Sequence, residues 1–181
     1  MPHYKKKLDD LMFKVKKGQM VRDEYAYIAD RLGNKNFLVF GTGHDTEFWR
    51  YCNSNGLTLF LEHDKEWILD NSDDTFLVNY NTDILKFKEY LHDTNSLTMD
   101  LPNKITNTKW DIIFVDGPPG NKTNSPGRMQ SIYTAWSLAS KNTDVFVHDC
   151  DREVEDLYTK YFFNIKTELV KLRHCIKKHE I

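Results

Sequence analysis

A chain of 181 residues, 29% of them charged and 40% hydrophobic, has the size and composition of one globular domain with a substantial core. Its formal net charge of −2 argues against a protein built to neutralise a nucleic-acid backbone, and no apolar run approaches the roughly 20 residues of a membrane span. Cys52, Cys150 and Cys175 are odd in number and lack Cys-x-x-Cys spacing, which argues against zinc and against a disulfide scaffold. The basic start, Met1 to Lys7, lacks the apolar centre of a signal peptide. A soluble, cytoplasmic protein with neither a nucleic-acid nor a membrane partner is expected.

Leu8, Leu11, Met12 and Val15 recur at helical spacing over residues 4–17, with lysines between them. This predicts an N-terminal helix or arm over 1–19, ahead of a single domain over 20–181. Val21 to Leu32 is a second helix, closed by Gly33 and Asn34. A strand follows at 37–40, a short helix over Thr46 to Asn53, and a strand at 57–61. Trp67-Ile-Leu69 begins another helix, closed by Asn71-Ser-Asp-Asp74. Thr75 to Tyr80 is a strand and Asp83 to Leu91 a helix. The polar stretch from Asp93 to Lys109, with Pro102 in it, is mostly loop. Trp110 to Val115 is a strand that ends in Asp116, Gly117-Pro-Pro-Gly120 breaks the chain, and a polar loop runs to Gly127. Arg128 to Ser140 is a helix, Thr143 to Val147 a strand ending in His148-Asp149, and Glu153 to Phe162 a helix. Residues 165–170 and 172–176 form a closing antiparallel pair. The four tryptophans, Trp49, Trp67, Trp110 and Trp136, take core-like positions. Strands and helices alternating at short intervals define an α/β, doubly wound, mostly parallel sheet.

The chemistry of such a sheet gathers at the carboxyl ends of its strands. The first buried strand delivers Gly41-Thr-Gly43, whose backbone is able to approach a ligand closely. About 20 residues on, the next strand ends in Glu62, the position from which a carboxylate takes a ribose diol. The alternative for Glu62 is a surface acid. His44 and Asp45 follow the glycines, where they either touch the ligand or favour a helix start. An NAD site is disfavoured, because Thr46 stands where the third glycine belongs. Asp116 and Asp149, at the ends of neighbouring strands, are placed to share a divalent cation that would acidify a substrate hydroxyl. His148 is a candidate general base or further ligand. The competing reading is that both aspartates cap helices, and it is strongest for Asp151. Arg128 and Arg152 suit an anionic substrate, or are solvated charges at helix starts.

The stretch Asn36-Phe-Leu-Val-Phe-Gly-Thr-Gly-His-Asp45 resembles a signature of the glucuronoxylan 4-O-methyltransferase family of plant polysaccharide biosynthesis. The resemblance continues in Thr58 to Ile68, Trp110 to Gly120, Pro126 to Met129, Ile132 to Ala135 and Thr143 to Asp156. It implies a Rossmann-like class I methyltransferase fold and S-adenosylmethionine as cofactor. It also implies O-methylation of a sugar hydroxyl, on a uronic acid or other glycan residue. A divalent metal (Mn2+, Mg2+ or Co2+) would assist. By motif, Gly41, Gly43 and Glu62 fall on the cofactor signatures, Asp116 at the fourth strand end and His148, Asp149 and Asp151 at the fifth; His44 and Asp116 are further candidates for the cofactor, and Asp116, His148 and Asp149 for catalysis. Asp116 and Asp149 are the metal candidates, and Arg128, Asp151 and Arg152 face the substrate. Thr42 departs from the leucine of the plant signature. The membrane anchor of the plant members is not found here, so their lumenal location does not carry over. Two other functions fit the same fold: methylation of a small diol, and a non-catalytic nucleoside- or glycan-binding assembly factor.

Overall fold

The computed structural model describes residues 3–15, 19–68 and 72–178. Two N-terminal helices, α1 (Lys5–Met12) and α2 (Arg22–Ala29), precede β1 (Asn36–Phe40), α3 (Thr46–Cys52), β2 (Leu57–Glu62) and β3 (Thr75–Leu77). A short α4 (Asn103–Thr106) leads into β4 (Ile112–Val115), followed by α5 (Met129–Leu138), β5 (Asp144–Val147) and α6 (Glu153–Phe162). The chain closes with β6 (Phe163–Leu169) and β7 (Leu172–Lys177).

The seven strands form one sheet in the order β3-β2-β1-β4-β5-β7-β6. β1 to β5 are parallel, and β7 enters antiparallel between β5 and β6. The order reverses between β1 and β4, which opens a crevice above their carboxyl ends.

Central parallel strands are buried on both faces, so they are apolar without interruption. Their alternation sorts the side chains. Leu38, Phe40, Leu59, Leu61, Ile113, Val115, Val145 and Val147 face α5, α6 and the 78–110 segment. Phe37, Val39, Phe60, Ile112, Phe114 and Phe146 face α1, α2 and α3, where Tyr25, Phe48 and Trp49 complete an aromatic layer. Each of these rings contributes about 1.5–3 kcal/mol by its burial. Tyr4, Leu8 and Leu11 join the second layer, so the N-terminal helix docks on the sheet's helical cover. Of the expected 4–17 helix, residues 16 and 17 lie outside the described residues.

Several elements differ from expectation. The helix expected from Trp67 is a single 3-10 turn, Lys65–Trp67, stopped by extended backbone at Ile68, and residues 69–71 lie outside the described residues. Trp67 is 47% exposed, not a core residue, because that turn leaves it on the wall of an open cleft. The helix expected over 83–91 is two 3-10 turns, Ile84–Lys86 and Glu89–Leu91. Ile84, Phe87 and Tyr90 pack on the core at a spacing of three, the 3-10 period. β3 stops at Leu77 rather than Tyr80. The polar 93–109 stretch holds α4, pinned by buried Ile105, whose carbonyl accepts the Trp110 indole N–H at 3.1 Å.

Candidate active site

The ladder hydrogen bonds continue one step past the strands. Gly41 N donates to Leu61 O, Asp116 N to Phe40 O, and His148 N to Val115 O. Gly41, Asp116 and His148 therefore stand abreast at the crevice. Gly41 has φ +105, and a Cβ there would lie 3.2 Å from Gly117 N. A Cβ on Gly117 would lie 2.9 Å from Gly41 Cα. The two backbones touch, so both positions exclude a side chain. Above them opens a cleft of about 540 Å³ lined by Gly41, Thr42, Glu62, Asp116, His148 and Arg152 among others. A side lobe of about 160 Å³ runs along Gly43, His44 and Asp45 under Tyr25.

Glu62 is buried and ties two strand ends together. Its Oε2 accepts from Thr42 N at 2.8 Å and Thr42 Oγ1 at 2.9 Å. Its Oε1 accepts from His63 N at 2.7 Å and Asp64 N at 2.8 Å. The threonine that departs from the plant signature thus supplies a hydroxyl to the carboxylate. His44 is exposed at the mouth, edge-on to Trp67 with ring centroids 5.7 Å apart.

Asp116, His148 and Asp149 offer ligand atoms that all lie within 4.8 Å of one another. His148 Nδ1 is 3.0 Å from Asp116 Oδ1 and 3.6 Å from Asp149 Oδ1. Asp149 holds φ +61, a left-handed conformation that costs a non-glycine residue about 1 kcal/mol and gathers at functional sites. Behind the histidine, Glu24 of α2 sits with Oε2 at 3.7 Å from Nε2. Burial opposes charge at Asp116, but Arg128 and His148 together hold its carboxyl below the usual range. Burial likewise works against the His148 imidazolium, and Asp116 and Asp149 outweigh it and raise the pKa. Burial, reinforced by the Asp116 charge, pushes the Asp45 carboxyl up to about 6, although the Trp49 indole N–H bonds to it at 2.9 Å.

Arg128 is turned inward and is 4% exposed. It donates to Pro118 O at 3.1 Å, His148 O at 2.9 Å and Asp116 O at 2.8 Å, and its Nη2 lies 2.9 Å from Asp149 Oδ2. Its donors are spent on the loops after β4 and β5, so the expected contact with an anionic substrate is not the role its geometry favours. Asp151 points away from the cleft and pairs with Lys171 at 3.1 Å, because the turn after β5 is tied to the β6–β7 turn. Arg152 does reach the cleft, 3.0 Å from Asp149 Oδ2. The residues that sequence reasoning passed over are Glu24, Gly117 and Glu155. The charge of Glu24 and Glu155, within otherwise apolar helix faces, was the available signal.

The strand order and the crevice at its switch point define a class I, S-adenosylmethionine-type methyltransferase fold. The MycE methyltransferase of mycinamycin biosynthesis, solved with Mg, SAH and mycinamycin VI, superposes with a TM-score of 0.58 at 11% identity, over 97% of this chain and 54% of that one. The chain belongs to the IRX15/IRX15L/GXM family, whose model matches residues 23–99 and 89–177. Glucuronoxylan 4-O-methyltransferase 1 of Arabidopsis thaliana is 35% identical over 87% of this chain and 67% of its own length. Arabinogalactan O-methyltransferase 1 of the same plant is 33% identical over 75% of this chain and 57% of its own. The chain thus spans about 57–67% of the length of these curated relatives. Within the described residues, no helix is long and apolar enough to cross a membrane. Cys52, Cys150 and Cys175 are free and buried.

Proposed function

We propose that this chain moves the sulfonium methyl of S-adenosylmethionine to a sugar hydroxyl, on a uronic acid within a glycan. The observation that carries this reading is one cleft that joins the Gly41–Gly43 turn and Glu62 to Asp116, His148 and Asp149. Relatives named for O-methylation of glucuronoxylan and arabinogalactan support the glycan as substrate class.

The Gly41–Gly43 turn admits the methionine end of the cofactor, and Glu62 faces its ribose. The sulfonium already activates the methyl, so the protein supplies position and an activated oxygen. The acceptor hydroxyl lies against Asp149 and Asp116. As its oxygen bonds the methyl and the C–S bond breaks, its proton passes to Asp149 or His148. The products are a methyl ether and a neutral thioether. Arg152 at the cleft pairs with the uronate carboxylate. Asp116 and Asp149, with His148 beside them, form a donor set suited to Mn2+, Mg2+ or Co2+. A cation bound there would lower the pKa of the acceptor hydroxyl. Three free thiols support a reducing, cytoplasmic setting.

The test is calorimetric titration with S-adenosylmethionine, followed by transfer of labelled methyl to a glucuronate-bearing xylan fragment. Binding and transfer are expected. Binding without transfer to any sugar would move the assembly-factor role to the front, and no binding would leave the fold alone standing.

A further inference from the structure

Glu155 lies on the first turn of α6 and is completely buried. Neither of its carboxylate oxygens has a hydrogen-bond partner among the described residues. A glutamate three residues into a helix ordinarily reaches back to the N–H of the capping residue. Here that residue is Arg152, and its N–H already donates to Asp149 O at 2.9 Å. The carboxylate is therefore left for something else. Its Oε1 is 3.9 Å from Arg128 Nε and 3.9 Å from Arg152 Nη1. The Arg128 Nε–H is taken by Pro118 O, whereas Arg152 reaches Asp149 through Nη2. Arg152 is the one of the two with an N–H free to turn. The loop makes room for this: a Cβ on Gly120 would sit 3.0 Å from Glu155 Oε1 and 3.7 Å from Arg152 Nη1.

We propose that Glu155 is a positioning residue that gives the Arg152 guanidinium a second seat. When an acceptor hydroxyl or a cation engages Asp149, the Asp149–Arg152 pair weakens. A shift of about 1 Å then closes the 3.9 Å gap to a charge-assisted hydrogen bond with Glu155. Arg152 stays at the cleft, aimed at the acceptor's carboxylate, instead of swinging into solvent. This inference rests on the assignment of a uronate to the cleft, and it makes Glu155 a determinant of preference for uronates over neutral sugars.

The test compares a glucuronate-bearing xylo-oligosaccharide with its carboxyl-reduced form, which keeps the same hydroxyls. In Glu155→Gln, KM for the uronate acceptor should rise about tenfold, the size of one lost charge-assisted contact. The kcat, the S-adenosylmethionine Kd and the KM of the reduced acceptor should stay within about twofold. An equal change for both acceptors, or no change for either, overturns the proposal. Gly120→Ala presses a methyl group on the carboxylate without removing it and should reproduce the pattern at about threefold, which covers the case where Glu155→Gln fails to fold. If the unmodified protein takes neither acceptor, the uronate assignment fails by itself. The second seat is then read by low-temperature NMR of the Arg152 Nη–H protons, with Asp149→Asn standing in for an engaged Asp149. Slow exchange in Asp149→Asn that is lost in Asp149→Asn/Glu155→Gln supports it, and identical exchange in the two overturns it.

Discussion

Gly41 and Gly117 meet back to back where β1 and β4 leave the sheet: the Cβ that alanine would add at Gly117 falls 2.9 Å from Gly41 Cα and 3.1 Å from Phe40 O. Both neighbours are backbone, so nothing flexible is available to yield. Gly117→Ala should force the two strand ends apart, destabilising the fold by about 1–3 kcal/mol. It should also weaken cofactor binding more than tenfold, since the turn proposed to admit the methionine end moves with it. Thermal unfolding and calorimetric titration check this. Unchanged values for both would mean that the contact is slack.

Glu62 has a structural duty beside the ribose contact proposed for it. Its carboxylate accepts from three backbone N–H groups and the Thr42 hydroxyl. Glu62→Gln replaces one acceptor oxygen by an amide that cannot accept, leaving buried donors unmatched at about 1–3 kcal/mol. Thr42→Val removes only the hydroxyl and should cost about 0.5–1.5 kcal/mol, a typical net hydrogen bond. Cofactor affinity should fall markedly in Glu62→Gln and little in Thr42→Val. Equal affinity losses would show that the ribose contact depends on loop order rather than on the carboxylate.

The legible part of this chain was the part written in contiguous residues. Phe37 to Phe40, Leu59 to Leu61 and Ile112 to Val115 are unbroken apolar runs, and the residue that follows each (Gly41, Glu62 and Asp116) lands on the crevice. Distant partners were not legible. Glu24 accepts from Lys171 N, 147 residues away in sequence, and its approach to His148 follows from the docking of α2. Arg128 looks like a solvated helix start until the loops after β4 and β5 wrap it with three carbonyls. Trp67 misled for a related reason: its apolar neighbours suggest a helix, but Asp64 accepts from Glu66 N and holds a single 3-10 turn at the edge of the cleft.

Asp149→Asn tests the proposed role of this carboxylate in the chemistry. Asparagine tolerates the φ +61 backbone and keeps the side-chain volume, so the fold should survive. Turnover should fall by about 10²-fold or more, the usual loss on removing a positioned acid–base group, while cofactor Kd changes less than threefold. A fully active variant would remove Asp149 from the chemistry and leave it a partner of Arg128 and Arg152.

The metal question has its own readout. Exhaustive chelation should lower activity, and Mn2+ or Co2+ should restore it. Asp116→Asn should weaken Mn2+ binding, measured directly by calorimetry, because one of two hard carboxylate donors is gone. Activity that survives chelation would leave Arg128, 2.9 Å from Asp149 and 3.2 Å from Asp116, as the positive charge on which the site relies.

Asp45 should tie stability, and through the proposed cofactor site binding as well, to pH. Burial, with the Asp116 charge added, raises its carboxyl from 3.8 to about 6 in the folded chain. The folded state therefore holds this proton more tightly than the unfolded state. The resulting stability is fully present below pH 4 and is lost as pH rises through about 6. Asp45→Asn keeps an acceptor for the Trp49 indole N–H but carries no charge. It should be more stable than the parent at pH 8, by about 1–2 kcal/mol after allowance for partial exposure, and the gap should close by pH 4.5. Binding should follow the opposite course. Asp45 borders the side lobe that the cofactor's ammonium would enter, and that cation favours the ionised carboxylate. Affinity for S-adenosylmethionine should then rise between pH 5 and 7 in the parent and stay flat in Asp45→Asn. A parallel rise in both would assign the pH dependence to another group.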